Sequence, residues 1–494
     1  MRNKSNLAAG VLYAALGLGI VGDELLRATP WGLNVALFIA IFIGASVALA
    51  RWQQVDLKPD VNWLAAAALL FAAGFAWRDS TVLKTLDVFA LAVSFSLVSL
   101  RSKAGRARTA SLVEYGLGAA VSGFNAVFGA FPLIGLDIKR EGERLPWLRQ
   151  AGATARGFLI ALPLLVVFGG LLSLADAAFA HLIHVVFDIS FQDLLAHFYL
   201  AAVIAWLAGG FLRGLLLGKD PEIKDYQRPR FLSLGVVEIA IPLGLLDVLF
   251  LSFVIVQFRY FFGGAASVEA STGLTYAEYA RSGFFELVAV STLVLPILLV
   301  IDWLVSTGTV AARRAFRLLA LVQVLLLFVI MVSAVQRMRL YQNEYGLTEL
   351  RLYTTAFMGW LALVFLWFAL TVLRGHRKRF AFGATVAGLI VIAMLHLANP
   401  DGFIIRTNTE RVRQGRRFDA VYATSLSADT IPRLIEAMPL LDEKDRAAVA
   451  KGVLKQWSPG QLSGWRSWSC GRLAARRSVQ DNEKLLRDLA ESNE

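Results

Sequence analysis

The sequence predicts an all-α polytopic transmembrane helical bundle of about eleven spans with a small helical C-terminal extramembrane region. Three observations carry that expectation. Apolar stretches long enough for a bilayer crossing, which needs about 20 residues, recur from residue 6 to residue 397, with short polar and basic segments between them. The 494 residues are 57% hydrophobic and only 17% charged, with a mean hydropathy of +0.60, too apolar a balance for a chain that must present a solvated surface. The net charge of +12 gathers in the short segments between the apolar stretches, where it orients a membrane protein, so membrane lipid and not nucleic acid is the expected partner.

In chain order the spans fall at 6–22, 31–50, 61–77, 81–100, 157–175, 195–213, 232–256, 283–305, 317–336, 354–373 and 380–398. Arg2 and Lys4 precede the first as they would in a signal peptide, yet Gly22, Asp23 and Glu24 follow without a small-residue cleavage site, which marks an uncleaved span. With the N-terminus in the cytoplasm, the inward loops collect Arg101, Lys103, Arg106, Arg108, Lys139, Arg140, Arg144, Arg149, Arg156, Arg213, Lys219, Lys224, Arg228, Arg230, Arg313, Arg314, Arg317, Arg374, Arg377, Lys378 and Arg379. The outward loops hold only Arg27, Arg78, Arg259, Arg281, Arg337, Arg339 and Arg351. That asymmetry fixes the orientation and, for an odd number of spans, places the C-terminal region outside. Residues 111–136, rich in glycine and containing Pro132, lie between two segments that both read as cytoplasmic. A re-entrant or interfacial hairpin accounts for them, with a pair of short spans as the rival.

The chain therefore divides into a four-span region (1–108), the hairpin with a basic cytoplasmic loop (109–156), a seven-span region (157–398) and an extracytoplasmic helical tail (399–494). In the tail, Ser427 or Asp429 can cap a helix with Pro432 in its first turn, and a second helix begins near Asp442. The tail is small for an independent core, so it is expected to lean on the membrane domain or on an envelope partner. Trp457, Trp465 and Trp468, interleaved with Arg466, Arg472, Arg476 and Arg477, suit packing against the tail helices or contact with anionic lipid. Cys470 is the only cysteine, which excludes an intramolecular disulfide and a cysteine metal cluster.

Ionisable residues inside spans are costly, so they are the first candidates for function. Lys84 and Asp87, three residues apart on one helical face, can neutralise one another as an intramembrane pair. Glu238 and Asp247 are nine residues apart, on roughly opposite faces, with Pro242 between them to free a carbonyl; Asp247, the deeper, is the better candidate for proton coupling. Glu286 and Asp302 sit near span ends, where interfacial solvation is sufficient. His181, His184 and Asp188 share one face of a helix outside the membrane, but without a fourth ligand they read as a polar stripe, and no metal site is expected. GLGIVG at Gly17, Gly19 and Gly22 lacks the preceding strand of a dinucleotide site, and no P-loop, HExxH or GxSxG occurs, so no cofactor is expected. The outward loops gather Arg259, Tyr260, Tyr276, Glu278, Tyr279, Arg281, Glu344, Tyr345, Glu349, Arg351 and Tyr353 at one membrane surface. Arginines among tyrosines can hold a phosphate or carboxylate, and an aromatic belt with neutralising ion pairs explains the same residues.

These outward loops, with NPDGFIIRTNTERV at Asn399 to Val412 and YATSLSADTIPRL at Tyr422 to Leu434, resemble an uncharacterised family of bacterial integral membrane proteins, domain of unknown function 4173, beside the related 4153 group. After NPD the family pattern has an Arg-Tyr-Asn run; Arg406 and Asn408 match it and Thr407 replaces the aromatic. The resemblance spans roughly Phe158 to Leu434 and implies a multi-pass protein of the bacterial inner membrane, a helical bundle and no assigned activity. The readings it leaves are a non-enzymatic carrier or envelope scaffold handling an anionic or amphiphilic solute, a transferase acting on lipid-linked substrates with Glu278 as general base, and a sensor or assembly platform acting through the tail.

Overall fold

In hydrocarbon every backbone amide must find its partner within its own segment, so the apolar stretches form helices. The computed structural model describes residues 2–55, 59–98, 108–137, 191–218, 235–272, 284–305, 309–457 and 464–491, with isolated positions between 157 and 179. In chain order the bundle comprises α1 (Arg2–Leu26), α2 (Leu33–Trp52), α3 (Pro59–Trp77), α4 (Thr81–Val98), α5 (Leu112–Phe128), α6 (Phe191–Leu216), α7 (Val236–Thr272), α8 (Phe284–Val305), α9 (Val310–Tyr345), α10 (Glu349–Thr371) and α11 (Phe380–Ala398). The chain is an all-α polytopic bundle: among the described residues there is no strand, and nine helices are long and apolar enough to cross a membrane. The apolar parts of α3 and α5, Val61–Trp77 and Leu112–Phe128, are shorter. The span expected at 157–175 falls largely outside the described residues, and His181, His184 and Asp188 fall outside them altogether.

Three clusters hold the bundle. One joins α1, α2, α3, α4 and α6 through Val11, Phe42, Leu64, Leu97 and Leu212; a second joins α2, α3, α4 and α11 through Val35, Phe75, Ala90 and Ile392; the third joins α7 to α10 through Ile239, Leu243, Leu298, Leu327, Phe365 and Phe368. Helix α11 packs against both α10 and α4 and so bridges them. Along α7 the buried residues Ile239, Leu243, Asp247, Phe250, Val254 and Gln257 recur every three or four positions as one stripe, while Val237, Ile241, Leu245, Val248 and Ile255 are left for lipid.

Helix α5 opens on a capping box, in which the Ser111 amide donates to Glu114 Oε2 at 2.6 Å. Its last turn lies against α6, where Trp206 Nε1 donates to the Val127 carbonyl at 2.7 Å. A short turn at Ala130–Pro132 and a π-helical turn at Leu133–Asp137 follow, and Asp137 pairs with Arg213 at 2.7 Å. Asn125 already packs on Gly210 and Gly214, so the segment between Asn125 and Asp137 enters and leaves at the same end of α6. Irregular backbone at this depth is tolerated because α6 covers it. That cover requires Gly210: a Cβ there would lie 2.4 Å from the Asn125 carbonyl oxygen and 2.5 Å from that of Ala126.

A short turn at Asn399 separates the bundle from a cap of α12 (Pro400–Arg413), α13 (Ala420–Ser425), α14 (Ile431–Ala437), α15 (Glu443–Gln456), α16 (Cys470–Asp481) and α17 (Glu483–Glu491). Asn399 takes a left-handed conformation, φ 49°, and its side chain accepts from the Gly402 amide at 3.3 Å, which starts α12 on a new axis with Pro400 in its first turn. Asp442 caps α15 by accepting from the Asp445 amide at 2.7 Å. The core of the cap holds Ile404, Ile405, Ile431, Leu434, Val449, Val453, Val479 and Leu486, and also Leu347 from the turn between α9 and α10. Both backbone groups of Leu347 are held by the Asn408 side chain, at 2.8 and 2.9 Å. The cap thus shares its core with the bundle.

Gly210→Leu should push the 125–137 segment off α6 and cost about 1–3 kcal/mol, read as a lowered melting temperature in detergent. Gly44→Leu, where nothing lies within 4 Å, is the control and should melt as the parent does.

Candidate functional site

Charged side chains of both signs meet where the cap seats on the bundle. The turn between α3 and α4 supplies Arg78, Asp79 and Ser80, α4 supplies Lys84 and Asp87, α10 supplies Tyr353, α11 supplies His396, and the cap supplies Asp401, Ser427, Asp429 and Arg472. A buried guanidinium needs its donors matched, and Arg472, only 6% exposed, matches them on three elements. It donates to the carbonyls of Pro30 and Trp31 in the turn between α1 and α2, each at 3.1 Å, to the Ser467 carbonyl, and to Asp79 Oδ1. The receiving turn is itself rigid: the inaccessible Asn34 side chain donates to the carbonyls of Leu25 and Ala28 at 2.9 and 2.7 Å and accepts from the amides of Gly32 and Val35. The Leu33 amide then donates to the Trp468 carbonyl at 2.9 Å.

Asp429 crosses the same boundary in the other direction. The sequence offers it as a helix cap, but its Oδ2 accepts from the Asp79 amide at 2.7 Å and Arg78 Nη1 stands 3.8 Å from its Oδ1. Ser427 Oγ donates to Asp401 Oδ2 and lies 3.5 Å from Asp429 Oδ2, so two carboxyls share one hydroxyl. Burial pushes the carboxyls of Asp401 and Asp429 above the ordinary carboxylate value. The Ser427 and Ser80 hydroxyls oppose the shift at Asp401; the Asp79 amide and the Arg78 guanidinium oppose it at Asp429.

Lys84 and Asp87 do not neutralise each other as their spacing suggests. Lys84 turns outward to Asp79 at 2.6 Å, as a long cationic stem does near a helix end, while Asp87, one turn deeper, meets His396 Nε2 at 2.8 Å. Asp87 is fully buried and His396 is 4% exposed. The pair fits because Gly74 of α3 has no side chain; a Cβ there would lie 2.6 Å from Asp87 Oδ2 and 2.9 Å from His396 Cε1. Trp77 stacks on the imidazole with ring centroids 6.1 Å apart, and Arg78 lies over Trp77 and donates to the His396 carbonyl at 3.0 Å. The pair and the cap network are therefore contiguous.

Of the described members of the outward set, Glu344 and Glu349 join the turn between α9 and α10 to the cap, while Tyr345, Arg351 and Tyr353 make contacts within the bundle. Glu344 pairs with Arg416 at 2.9 Å and its carbonyl accepts from Arg411 at 2.8 Å. Arg351 lies 4.0 Å from the Tyr341 ring and donates to the Gly346 carbonyl, while Tyr345 meets Tyr341 edge-on at 5.0 Å. The Glu349 amide donates to the Tyr422 hydroxyl at 2.8 Å, and the Tyr353 hydroxyl is 3.4 Å from Ser80 Oγ. Tyr276, Glu278, Tyr279 and Arg281, and the side chains of Arg259 and Tyr260, lie outside the described residues. Glu238 is exposed and accepts from the Gly235 amide at 2.6 Å, apart from Asp247, which lies on the buried stripe of α7. Among the described residues no group of three or more His, Cys, Asp or Glu side chains is placed to hold a metal ion.

Sequence reasoning singled out none of Asp79, His396, Asp401 or Asn34. Asp401 lies within the NPD stretch, and Arg472 is one of several arginines in the segment that holds Trp457, Trp465 and Trp468. A lone histidine in an apolar helix and an aspartate in a turn carry no periodic signal, and their partners lie hundreds of residues away.

The family described as domain of unknown function (DUF4153) matches residues 65–437, well over half of the 494-residue chain, and the chain belongs to it. That is the group the sequence reading set beside the 4173 group. The matched range contains Arg78, Asp79, Ser80, Lys84, Asp87, Tyr353, His396, Asp401, Ser427 and Asp429, while Arg472 and its carbonyl partners Pro30, Trp31 and Ser467 lie outside it. No curated protein and no solved structure matches the chain.

Removing Arg472 leaves Asp79 with Lys84 alone and takes the donor from the carbonyls of Pro30, Trp31 and Ser467, and a buried acceptor left unmatched costs about 1–3 kcal/mol. Arg472→Ala should therefore loosen the cap, read as faster protease cutting after Pro400 in membranes while the amount of inserted chain is unchanged. Because Asp401 and Asp429 hold their protons above the usual 3.8, the seated cap binds protons that a released cap gives up. Seating should be firmest at acidic pH and weaken as pH rises from 3.8 through their raised values. The thermal release of the cap should follow that slope, and Asp401→Asn should flatten it; a parent protein whose cap release ignores pH would contradict the burial argument.

Proposed function

Starting from membership of this family, we propose that the chain is a multi-pass protein of the bacterial inner membrane that works as an assembly platform, its spans holding the C-terminal cap rigidly at the outward face to receive an envelope partner. The observation that carries this reading is the Arg472 anchor, which ties the cap to two inter-helix turns and buries the connection. The outward residues that suited an anion clamp support the same reading, since Glu344, Glu349, Arg351 and Tyr353 are engaged in contacts within the turn or with the cap network. An open cleft of about 430 Å³ lined by Ile435, Met438, Leu485 and Leu489, together with Glu436 and Arg446, gives the cap a face that its own core leaves unfilled.

The orientation follows from charge. Arg108, Arg313, Arg314, Arg317, Arg374, Arg377, Lys378 and Arg379 all lie at the end of the bundle away from the cap, which by the positive-inside rule is the cytoplasmic end. A transferase would depend on Glu278, and no described residue favours that reading.

Gently solubilised membranes carrying the full chain should show, on native gels, an assembly larger than the single chain in its micelle. Arg472→Ala should return it to the single chain at unchanged insertion. A parent protein that runs as a single chain, or a variant whose assembly is unaltered, would overturn the platform reading.

A further inference from the structure

Among the buried side chains of the bundle whose polar atoms lack a described partner, two leave a whole carboxyl and a whole amide unsatisfied. Both carboxyl oxygens of Asp247 and both amide atoms of Gln323 are buried without a hydrogen-bond partner, in residues 8% and 1% exposed. Leaving such groups unpaired in an apolar interior costs about 1–3 kcal/mol for each lost hydrogen bond and more for an ionised carboxylate.

The two residues belong to facing stripes. Helix α7 packs along α9, and Asp247 stands on the α7 stripe between Leu243 and Phe250, while Gln323 stands on the α9 stripe between Ala320 and Leu327. Their register is set by Gln257, whose Oε1 accepts from Ser333 Oγ at 3.0 Å and from Arg337 Nη2 at 3.1 Å, 76 and 80 residues further along the chain. The helices run parallel there. The apolar span Val236–Gln257 precedes that contact on α7 and the apolar part of α9 precedes it too, whereas the residues of α9 beyond Arg337 are polar and lead to the cap. Only a parallel arrangement lays the two apolar segments side by side. Offsets of 76 and 80 residues place Asp247 against the turn of α9 from Gln323 to Leu327, in which Gln323 is the polar residue.

We propose that Asp247 and Gln323 form a proton-binding site between α7 and α9, in which a protonated Asp247 carboxyl donates to the Gln323 carbonyl oxygen and accepts from its amide N–H. A carboxylic acid and a primary amide match donor to acceptor on both sides, so the joined pair is neutral and satisfied. The proton is the cation that this chemistry takes: three side-chain oxygens are too few to replace the hydration shell of a metal ion between the apolar residues that flank them, Leu243 and Phe250 on α7 and Ala320 and Leu327 on α9. Among the described residues of α7 and α9 no charged side chain stands in for it. On α7 the other ionisable residue of the span is Glu238, exposed at its first turn; on α9 none lies between Arg317, which is exposed, and Arg337, which is bonded to Gln257. Loss of the proton would leave a carboxylate with an amide as its only facing polar group, so protonation and the joining of α7 to α9 are linked. The inference is independent of the platform reading, because the site lies within the spans and not at the cap.

The test is infrared spectroscopy of the full chain in nanodiscs at neutral pH. The parent protein should show a protonated-carboxyl C=O band that is lost in Asp247→Asn, a substitution of the same shape that folds as the protonated form does. In Gln323→Leu the band should remain but move to higher frequency, as it does when a carbonyl loses its hydrogen bond. A spectrum unchanged by Asp247→Asn would mean the carboxyl is ionised, and a band unmoved by Gln323→Leu would mean the amide is not its partner; either overturns the proposal. Exchange of potassium for sodium should leave the band in place, and its loss in sodium would show a metal cation taking the site instead.

Discussion

A buried guanidinium dictates the architecture of the cap end of this molecule. Arg472 cannot be left with unmatched donors in a dry interface, and the acceptors that match them come from the turn between α1 and α2, from the turn between α3 and α4, and from the cap itself. Moving any of the three away would strand a charge. The placement of Asn34, which freezes the first turn, and of Lys84, which adds a second cation to Asp79, follows from the same need. Apolar packing reinforces it, because Leu347 leaves the bundle to complete the core of the cap. A segment too short to bury a core of its own is thereby made part of a larger one.

The bundle was legible because lipid imposes a length and an apolar composition on each crossing, and both can be counted along the chain. The tail helices were legible where a cap residue announced them, as Asp442 does for α15. The site was not, for two physical reasons. Local spacing suggested that Lys84 would neutralise Asp87, but the lysine stem reaches outward to Asp79, and the space beside Gly74 admits His396 to the aspartate. Asp429 shows the second reason: its sequence position suits a helix cap, while its actual partners, Arg78 and Asp79, lie some 350 residues earlier. Long-range pairing of single polar residues leaves no period in the sequence, so it becomes visible only when the helices are set side by side.

Polar groups within the bundle fall into two classes. Asp87 with His396, and Gln257 with Ser333 and Arg337, are joined across helices and fix the mutual register of those helices. Asp247 and Gln323 are buried without hydrogen-bond partners on the stripes along which α7 and α9 pack. The first class explains how the spans are held. The second is where, on the proposal above, a change of protonation alters the packing of α7 on α9, within the spans and not at the cap.

The central claim is that one buried ion pair couples the cap to the bundle, and a double-mutant cycle on Asp79 and Arg472 tests it most directly. Hydrogen exchange of cap amides in nanodiscs reads the free energy of cap release for the parent, Asp79→Ala, Arg472→Ala and the double variant. If the pair holds the cap, each single substitution lowers that free energy by kilocalories and the double variant loses little more than either alone. Additive losses, or cap amides equally protected in all four proteins, would contradict the account.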